Sequence, residues 1–237
     1  MIYRLSQNIL ITNAVKSIRD KIAESAIKSG RQPEDVQLMA VTKTQPAELV
    51  NLAIHSGITL LGENRAQELL AKYNDYDKNN INIHFIGSLQ RNKVRQIVDK
   101  IDLIQSVDSL HLAAEIDKRA AEIGKIMDVL IEVNIGNEQS KAGVCPDEAL
   151  NLVHEIARMN ALRLRGLMTI PPFGVETKAT EQFFYRMYQL FVDIQAKIVD
   201  NSSIDILSMG MSDDFELAVK HGSTLCRIGS ALFGARR

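Results

Sequence analysis

The 237-residue chain carries 28 Lys+Arg against 29 Asp+Glu, a formal net charge of −1, so no overall field draws it to nucleic acid or to an anionic membrane. Cys145 and Cys226 are its only cysteines, with no C-x-x-C pair and no His–Cys cluster at ligand spacing, which argues against a disulfide framework and a structural zinc. A hydrophobic fraction of 46% suits a folded globular chain. No run approaches the ~18 apolar residues of a membrane span.

The N-terminus, Met1-Ile2-Tyr3-Arg4, leads into an amphipathic pattern without the apolar core of a secretory signal, so a cytoplasmic protein is expected. Residues 5–29 carry Ile11, Val15, Ile18 and Ile22 at helical steps, with Gly30 as the stop. After the loop Gln32-Pro33-Glu34-Asp35, strands and helices alternate without a break. Strands are predicted at 37–42, 58–61, 82–86, 102–105, 129–134, 162–168, 204–208 and 224–228. The helices between them fall at 46–56, 65–73, 90–99, 109–123, 146–159, 177–199 and 213–221, and a short one closes the chain at 229–233. Gly62-Glu63-Asn64 reads as a loop after the second strand. In helix 177–199 the predicted buried stripe is Phe183, Met187, Leu190, Ile194 and Ile198. Eight strand–helix units after an N-terminal helix predict a single (β/α)₈ TIM barrel spanning 1–237. A doubly wound sheet is the rival, but no G-x-G and no P-loop pattern occurs.

The first strand, Leu38-Met39-Ala40-Val41-Thr42, runs into Lys43 and then Thr44-Gln45-Pro46. In a barrel this lysine sits at the C-terminal mouth, where such folds keep their chemistry. Desolvation there lowers an amine from its ordinary pKa of ~10.4 and makes it a nucleophile for carbonyl compounds, pyridoxal phosphate (PLP) among them. The plain alternative is a solvated lysine marking a strand end. Barrels bind phosphate at the loops after strands seven and eight. Both loops here are built of small residues: Met209-Gly210-Met211-Ser212-Asp213-Asp214 and Gly229-Ser230. Gly210 permits close backbone approach, and Ser212 can cap the next helix while offering donors. On these residues alone, sugar phosphates and PLP both remain possible ligands.

Several ordered motifs then resemble a known family. They are Ala40-Val41-Thr42-Lys43-Thr44, Gly62-Glu63-Asn64 with Gln67-Glu68, and the stretch from His84-Phe85-Ile86-Gly87 to Lys93. They continue with Glu138-Gln139-Ser140-Lys141-Ala142-Gly143, Gly166-Leu167-Met168-Thr169-Ile170-Pro171, Leu207-Ser208-Met209-Gly210-Met211-Ser212-Asp213-Asp214 and Arg227-Ile228-Gly229-Ser230-Ala231-Leu232-Phe233-Gly234. Together they are similar to the pyridoxal phosphate homeostasis proteins. The resemblance covers the chain from about the first strand to its last residues.

It implies a fold-type III, alanine racemase-like barrel with PLP on Lys43 as a Schiff base. Ser212, Gly229 and Ser230 match the phosphate positions, with Met211 supplying backbone. Arg227 matches the arginine facing the pyridine nitrogen, and Asn64 the asparagine beside the cofactor. Gln45 and Arg65 depart from the family's usual basic and apolar residues at the rim. A guanidinium disfavours protonation of that nitrogen and leaves a weak electron sink. The chain stops at Arg237 just after the barrel closes, so the second domain from which racemases take their opposite-face base is not expected.

The reading is therefore a PLP-binding protein of vitamin B6 homeostasis that delivers the cofactor to apo PLP-dependent enzymes, with little or no amino-acid turnover. The alternative is a slow PLP-dependent racemase or lyase with Lys43 as sole base. Monomer and weak dimer are both compatible with the sequence. His84 and His111 lack metal partners at ligand spacing and read as structural or surface groups. Lys141 reads as a solvated loop residue, Arg91, Lys93 and Arg95 as an outer charged face, and Cys226 as core. Pro171-Pro172-Phe173 is read as an ordinary turn or a stiff rim over the site.

Overall fold

The computed structural model describes residues 2–138, 140–172, 174–197 and 202–234. Ile198 of the predicted helical stripe, Phe173 of the predicted rim and residues from 235 onward lie outside them. Helix α1 (Ile2–Lys28) precedes strands β1 (Gln37–Val41), β2 (Leu60–Glu63), β3 (Asn82–Phe85), β4 (Leu103–Val107), β5 (Met127–Glu132), β6 (Leu162–Met168), β7 (Ser202–Ser208) and β8 (Leu225–Ile228). The strands close in sequence order into a parallel barrel, with β8 pairing back to β1 through Met39 opposite Arg227. Between them run α2 (Ala47–His55), α3 (Ala66–Lys72), α4 (Arg91–Ile97), α5 (Leu110–Glu122), α6 (Pro146–Ala157), α7 (Thr177–Lys197) and α8 (Phe215–Lys220), and α9 (Ser230–Phe233) follows β8. No helix among the described residues is long and apolar enough to cross a membrane.

The main core lies between the barrel wall and the helices. Ile11, Val15, Ile18 and Ile22 of α1 are all buried in it, as their spacing predicts. Inside the barrel two smaller apolar groups fill the axis, Met39, Val41, Leu60, Ile86 and Leu225 on one side and Leu103, Leu130 and Met168 on the other. At the N-terminal end of β5 and β6 an ion cluster stands at the barrel edge. Arg163 binds Asp128 at 2.6 Å, and Arg165 bridges Asp128 (2.8 Å) and Asp205.

Three readings of the sequence are corrected. Strand two does not stop before Gly62-Glu63. It continues through them, Gly62 pairing with His84 and Glu63 with Phe85, because the Glu63 side chain is fully buried among donors. The stripe of α7 is Thr180, Phe184, Met187, Phe191 and Ile194, with Phe183 and Leu190 only partly buried at its edge. Two adjacent phenylalanines satisfy helical spacing equally well, so periodicity alone cannot choose between them. Gly210, at φ +91°, does allow a close approach, but to α8. A Cβ there would lie 2.5 Å from the Cβ of Ala218.

Gly166 sits where the β6–β7 register shifts, at φ +147°, and a Cβ on it would lie against the carbonyl of Ile206. Gly166→Ala is expected to lower stability by about 3 kcal/mol, because backbone rather than a flexible side chain would have to move. Urea denaturation of the variant and wild type checks this, and an unchanged midpoint would contradict it.

Candidate functional site

The ends of the strands bring the sequence-predicted residues together. Lys43 follows β1, Asn64 follows β2, Met211 and Ser212 follow β7, Arg227 lies in β8, and Gly229 and Ser230 follow it. All of them line one cavity of about 180 Å³ at the C-terminal mouth of the barrel. Lys43 is half-buried, as a strand-end residue turned into such a cavity would be. Ile86 after β3 and Ile170 after β6 add apolar surface to the same cavity. The sequence reading missed both. Their signal was present, since Ile86 ends the predicted third strand just before Gly87 and Ile170 lies two residues past the predicted sixth strand, just before Pro171.

Arg227 is 3% exposed. A buried cation is costly unless its donors are satisfied, and here neutral oxygens satisfy them. Nη1 donates to Ser208 Oγ at 2.7 Å, and Nη2 donates to the Thr169 carbonyl at 2.8 Å. With its lone pair engaged, the Ser208 hydroxyl donates onward to Gln105 Oε1 at 2.7 Å. The Gln105 amide then faces His84 Nδ1 at 3.0 Å. An always-protonated guanidinium at one end fixes the sense of this chain, so Nδ1 of His84 accepts and the ring is neutral. Burial pushes the His84 pKa down to about 3, in keeping with a neutral ring. His84 is thus structural, as expected, but in the barrel interior. Burial also brings Arg227 down to about 10.

Glu132, at the C-terminal end of β5, is raised to about 7, first by burial and then by the charge of Asp108, with Arg227 opposing. The β7 loop is shaped by Asp214, whose Oδ1 accepts from the Met211 N–H at 2.6 Å. Burial raises the Asp214 pKa above the usual range.

The predicted capping role of Ser212 is corrected. Asp214, not Ser212, stands at the start of α8, and the Ser212 hydroxyl instead reaches across to the β8 loop. It accepts from the N–H of Gly229 at 3.3 Å and of Ala231 at 3.1 Å. Lys141 is also corrected. Rather than standing in solvent, its Nζ donates to the Pro171 carbonyl at 2.9 Å and pairs with Glu138 at 2.8 Å, tying two mouth loops together. Cys226 is fully buried, whereas Cys145 is exposed. No cluster of metal-ligating side chains occurs among the described residues.

With this geometry in hand, the chain matches the family described as alanine racemase, N-terminal domain, over residues 16–237. It is 38% identical over 220 residues to the pyridoxal phosphate homeostasis protein of Aquifex aeolicus, covering 93% of this chain and 96% of that one. To its Escherichia coli K12 counterpart it is 39% identical over 232 residues, covering 95% and 97%. The chain belongs to the family of pyridoxal phosphate homeostasis proteins. PipY of Synechococcus elongatus, solved with PLP bound, superposes with a TM-score of 0.83 at 32% identity, covering 94% of this chain and 100% of that one. An unknown protein from Bifidobacterium adolescentis gives 0.92 at 34% identity, covering 96% of each chain. An alanine racemase from Clostridium difficile, at 17% identity and a TM-score of 0.73, shares the barrel fold over 57% of its own length.

The Glu132 carboxyl gives a prediction with a definite sign. Its folded pKa of about 7 lies above the ordinary 4.5, so the native state keeps a proton that the unfolded chain has released between those values. Stability from this group is therefore lost as pH rises through that window, by at most about 1.4 kcal/mol per pH unit. Glu132→Gln is expected to gain stability over wild type progressively from pH 4.5 to 7 and then level off. Parallel wild-type and variant stability–pH curves would rule this out.

Proposed function

We propose that this protein binds PLP, carries it covalently on Lys43 and acts in cytoplasmic PLP homeostasis and delivery, with little or no turnover of amino acids. One observation carries the reading: an amine, a buried guanidinium and two amide-bearing turns converge on a single cavity. Its lining suits the cofactor. Gly229 and Ala231 already direct their N–H groups at an oxygen, that of Ser212, as they would at a phosphate oxygen. Asn64 keeps its Oδ1 buried at the cavity without a hydrogen-bond partner, an acceptor fit for a ligand hydroxyl. The relatives' name and PipY's bound PLP point the same way.

When bound, the cofactor supplies an aldehyde that bonds to amines and a ring that can accept electrons. In this reading Ser212, Gly229 and Ser230, with the Met211 backbone, hold the phosphate. Lys43 supplies the nucleophilic amine. Ile86 and Ile170 offer apolar surface that limits water around the ring. Arg227, held from within the barrel, would meet the pyridine nitrogen with a group that could not take a proton from it and whose charge would oppose protonation there. That weakens the electron sink on which racemase and lyase chemistry depends. Among the described cavity residues, Asp213 is the one carboxylate, and it is exposed. It makes a poor second base. The exposed Ser230 leaves the phosphate end accessible, which suits release to an apo-enzyme better than retention through a catalytic cycle.

Borohydride reduction of the PLP-loaded protein followed by peptide mapping is expected to place the label on Lys43, and Lys43→Ala is expected to carry none. A label on another lysine would overturn the assignment. Racemic product from a single enantiomer of an amino acid, lost in Lys43→Ala, would favour the enzymatic alternative instead.

A further inference from the structure

We propose that α3 is a clamp on the two residues flanking Lys43, with Glu68 and Lys72 as positioning residues that aim its amine into the cavity. This rests on the functional reading above, in which Lys43 carries PLP.

Glu68 and Lys72 stand four residues apart on α3 and so share one face of it. From that face Glu68 Oε2 accepts the N–H of Thr44 at 2.8 Å, just after Lys43. Lys72 Nζ donates to the carbonyl of Thr42 at 3.0 Å, just before it. Between these two grips the chain turns sharply, since Thr44 adopts φ +62°, a left-handed conformation that residues with a Cβ rarely take without support.

The Lys72 grip is itself anchored. Its ammonium lies 2.9 Å from Oε1 of the fully buried Glu63, and the same oxygen accepts from the Thr42 hydroxyl at 2.5 Å and the Tyr76 hydroxyl at 2.5 Å. Thr42 is thereby held through both its carbonyl and its side chain. Neither Glu68 nor Lys72 lines the cavity. Their contacts instead fix the peptide from which the Lys43 side chain departs. A flexible four-carbon side chain on a freely moving loop would sample many directions. Pinning its backbone on both sides raises the fraction of time the amine spends within reach of a bound aldehyde.

Because Lys72→Met would strand the buried Glu63 carboxylate, the discriminating change is at Glu68, whose side chain is 24% exposed. The probes are PLP itself and pyridoxine 5′-phosphate, which presents the same phosphate and ring without an aldehyde. Apo-protein is mixed with PLP and the rate of covalent attachment is followed by the growth of visible absorbance. Pyridoxine phosphate affinity is measured by calorimetry, and folding is checked by circular dichroism.

Glu68→Leu and Glu68→Ala are expected to attach PLP about ten- to a hundredfold more slowly while binding pyridoxine phosphate within about twofold of wild type. Glu68→Gln, whose amide oxygen still accepts from Thr44, is expected to recover most of the rate. Attachment at the wild-type rate in Glu68→Leu and Glu68→Ala overturns the clamp. So does an equal loss of both ligands, which would mean that the cavity itself had collapsed. Wild-type protein that never attaches PLP at Lys43 would overturn the functional reading, and the clamp with it.

Discussion

The structure is organised around a charge placed where charge is expensive. Arg227 stands in the barrel wall with its guanidinium almost wholly withdrawn from solvent. Its hydrogen bonds to the Ser208 hydroxyl on β7 and to the Thr169 carbonyl just past β6 hold it in place. Such a group can be kept only by oxygens already fixed in position, because an unmet donor in this environment costs more than one met bond returns. The requirement spreads inward. Ser208 needs Gln105, Gln105 needs a neutral His84, and the polar thread that results joins β7, β4 and β3. The guanidinium is therefore presented to the mouth in one orientation, as a hydrogen-bond donor that does not exchange protons.

The mouth follows from that floor. A strand-end amine lies on one side of it, and on another the β7 and β8 loops are stitched together by the Ser212 hydroxyl. These loops need no long helix to present amide donors, since the backbone at Gly229 and Ala231 already turns its N–H groups toward an acceptor. The mouth also carries bonds between neighbouring loops, as where Lys141 of the β5 loop holds the Pro171 carbonyl of the β6 loop. In the proposed reading, a rigid floor beneath a solvent-reachable end of the cavity suits a protein that holds a reactive aldehyde and gives it up.

Much of this was legible in the sequence because the physical signals were local. Apolar runs stopped by Gly or Pro gave the order of strands and helices, and a lysine ending the first strand pointed to the mouth. The small-residue turns after strands seven and eight pointed to two of the loops that line the cavity. What escaped depends on pairing between distant segments. Gln105 and Ser208 end two predicted strands, and nothing local says that one interior position faces the other about a hundred residues away. Ser212 was read as a helix cap, the usual work of a serine before a short helix, whereas its partner lies across the chain at Gly229. Glu63 reads as part of the loop after the second strand. Only the fold brings it Thr42, Lys72 and Tyr76.

The central claim is that Arg227 faces the ring nitrogen of bound PLP and denies it a proton. Nitrogen-15 NMR of the protein loaded with ring-labelled PLP, followed across the pH range in which it stays folded, tests this most directly. The account predicts a chemical shift that remains that of an unprotonated pyridine throughout. A shift typical of pyridinium, or one that titrates while the protein is folded, would contradict it.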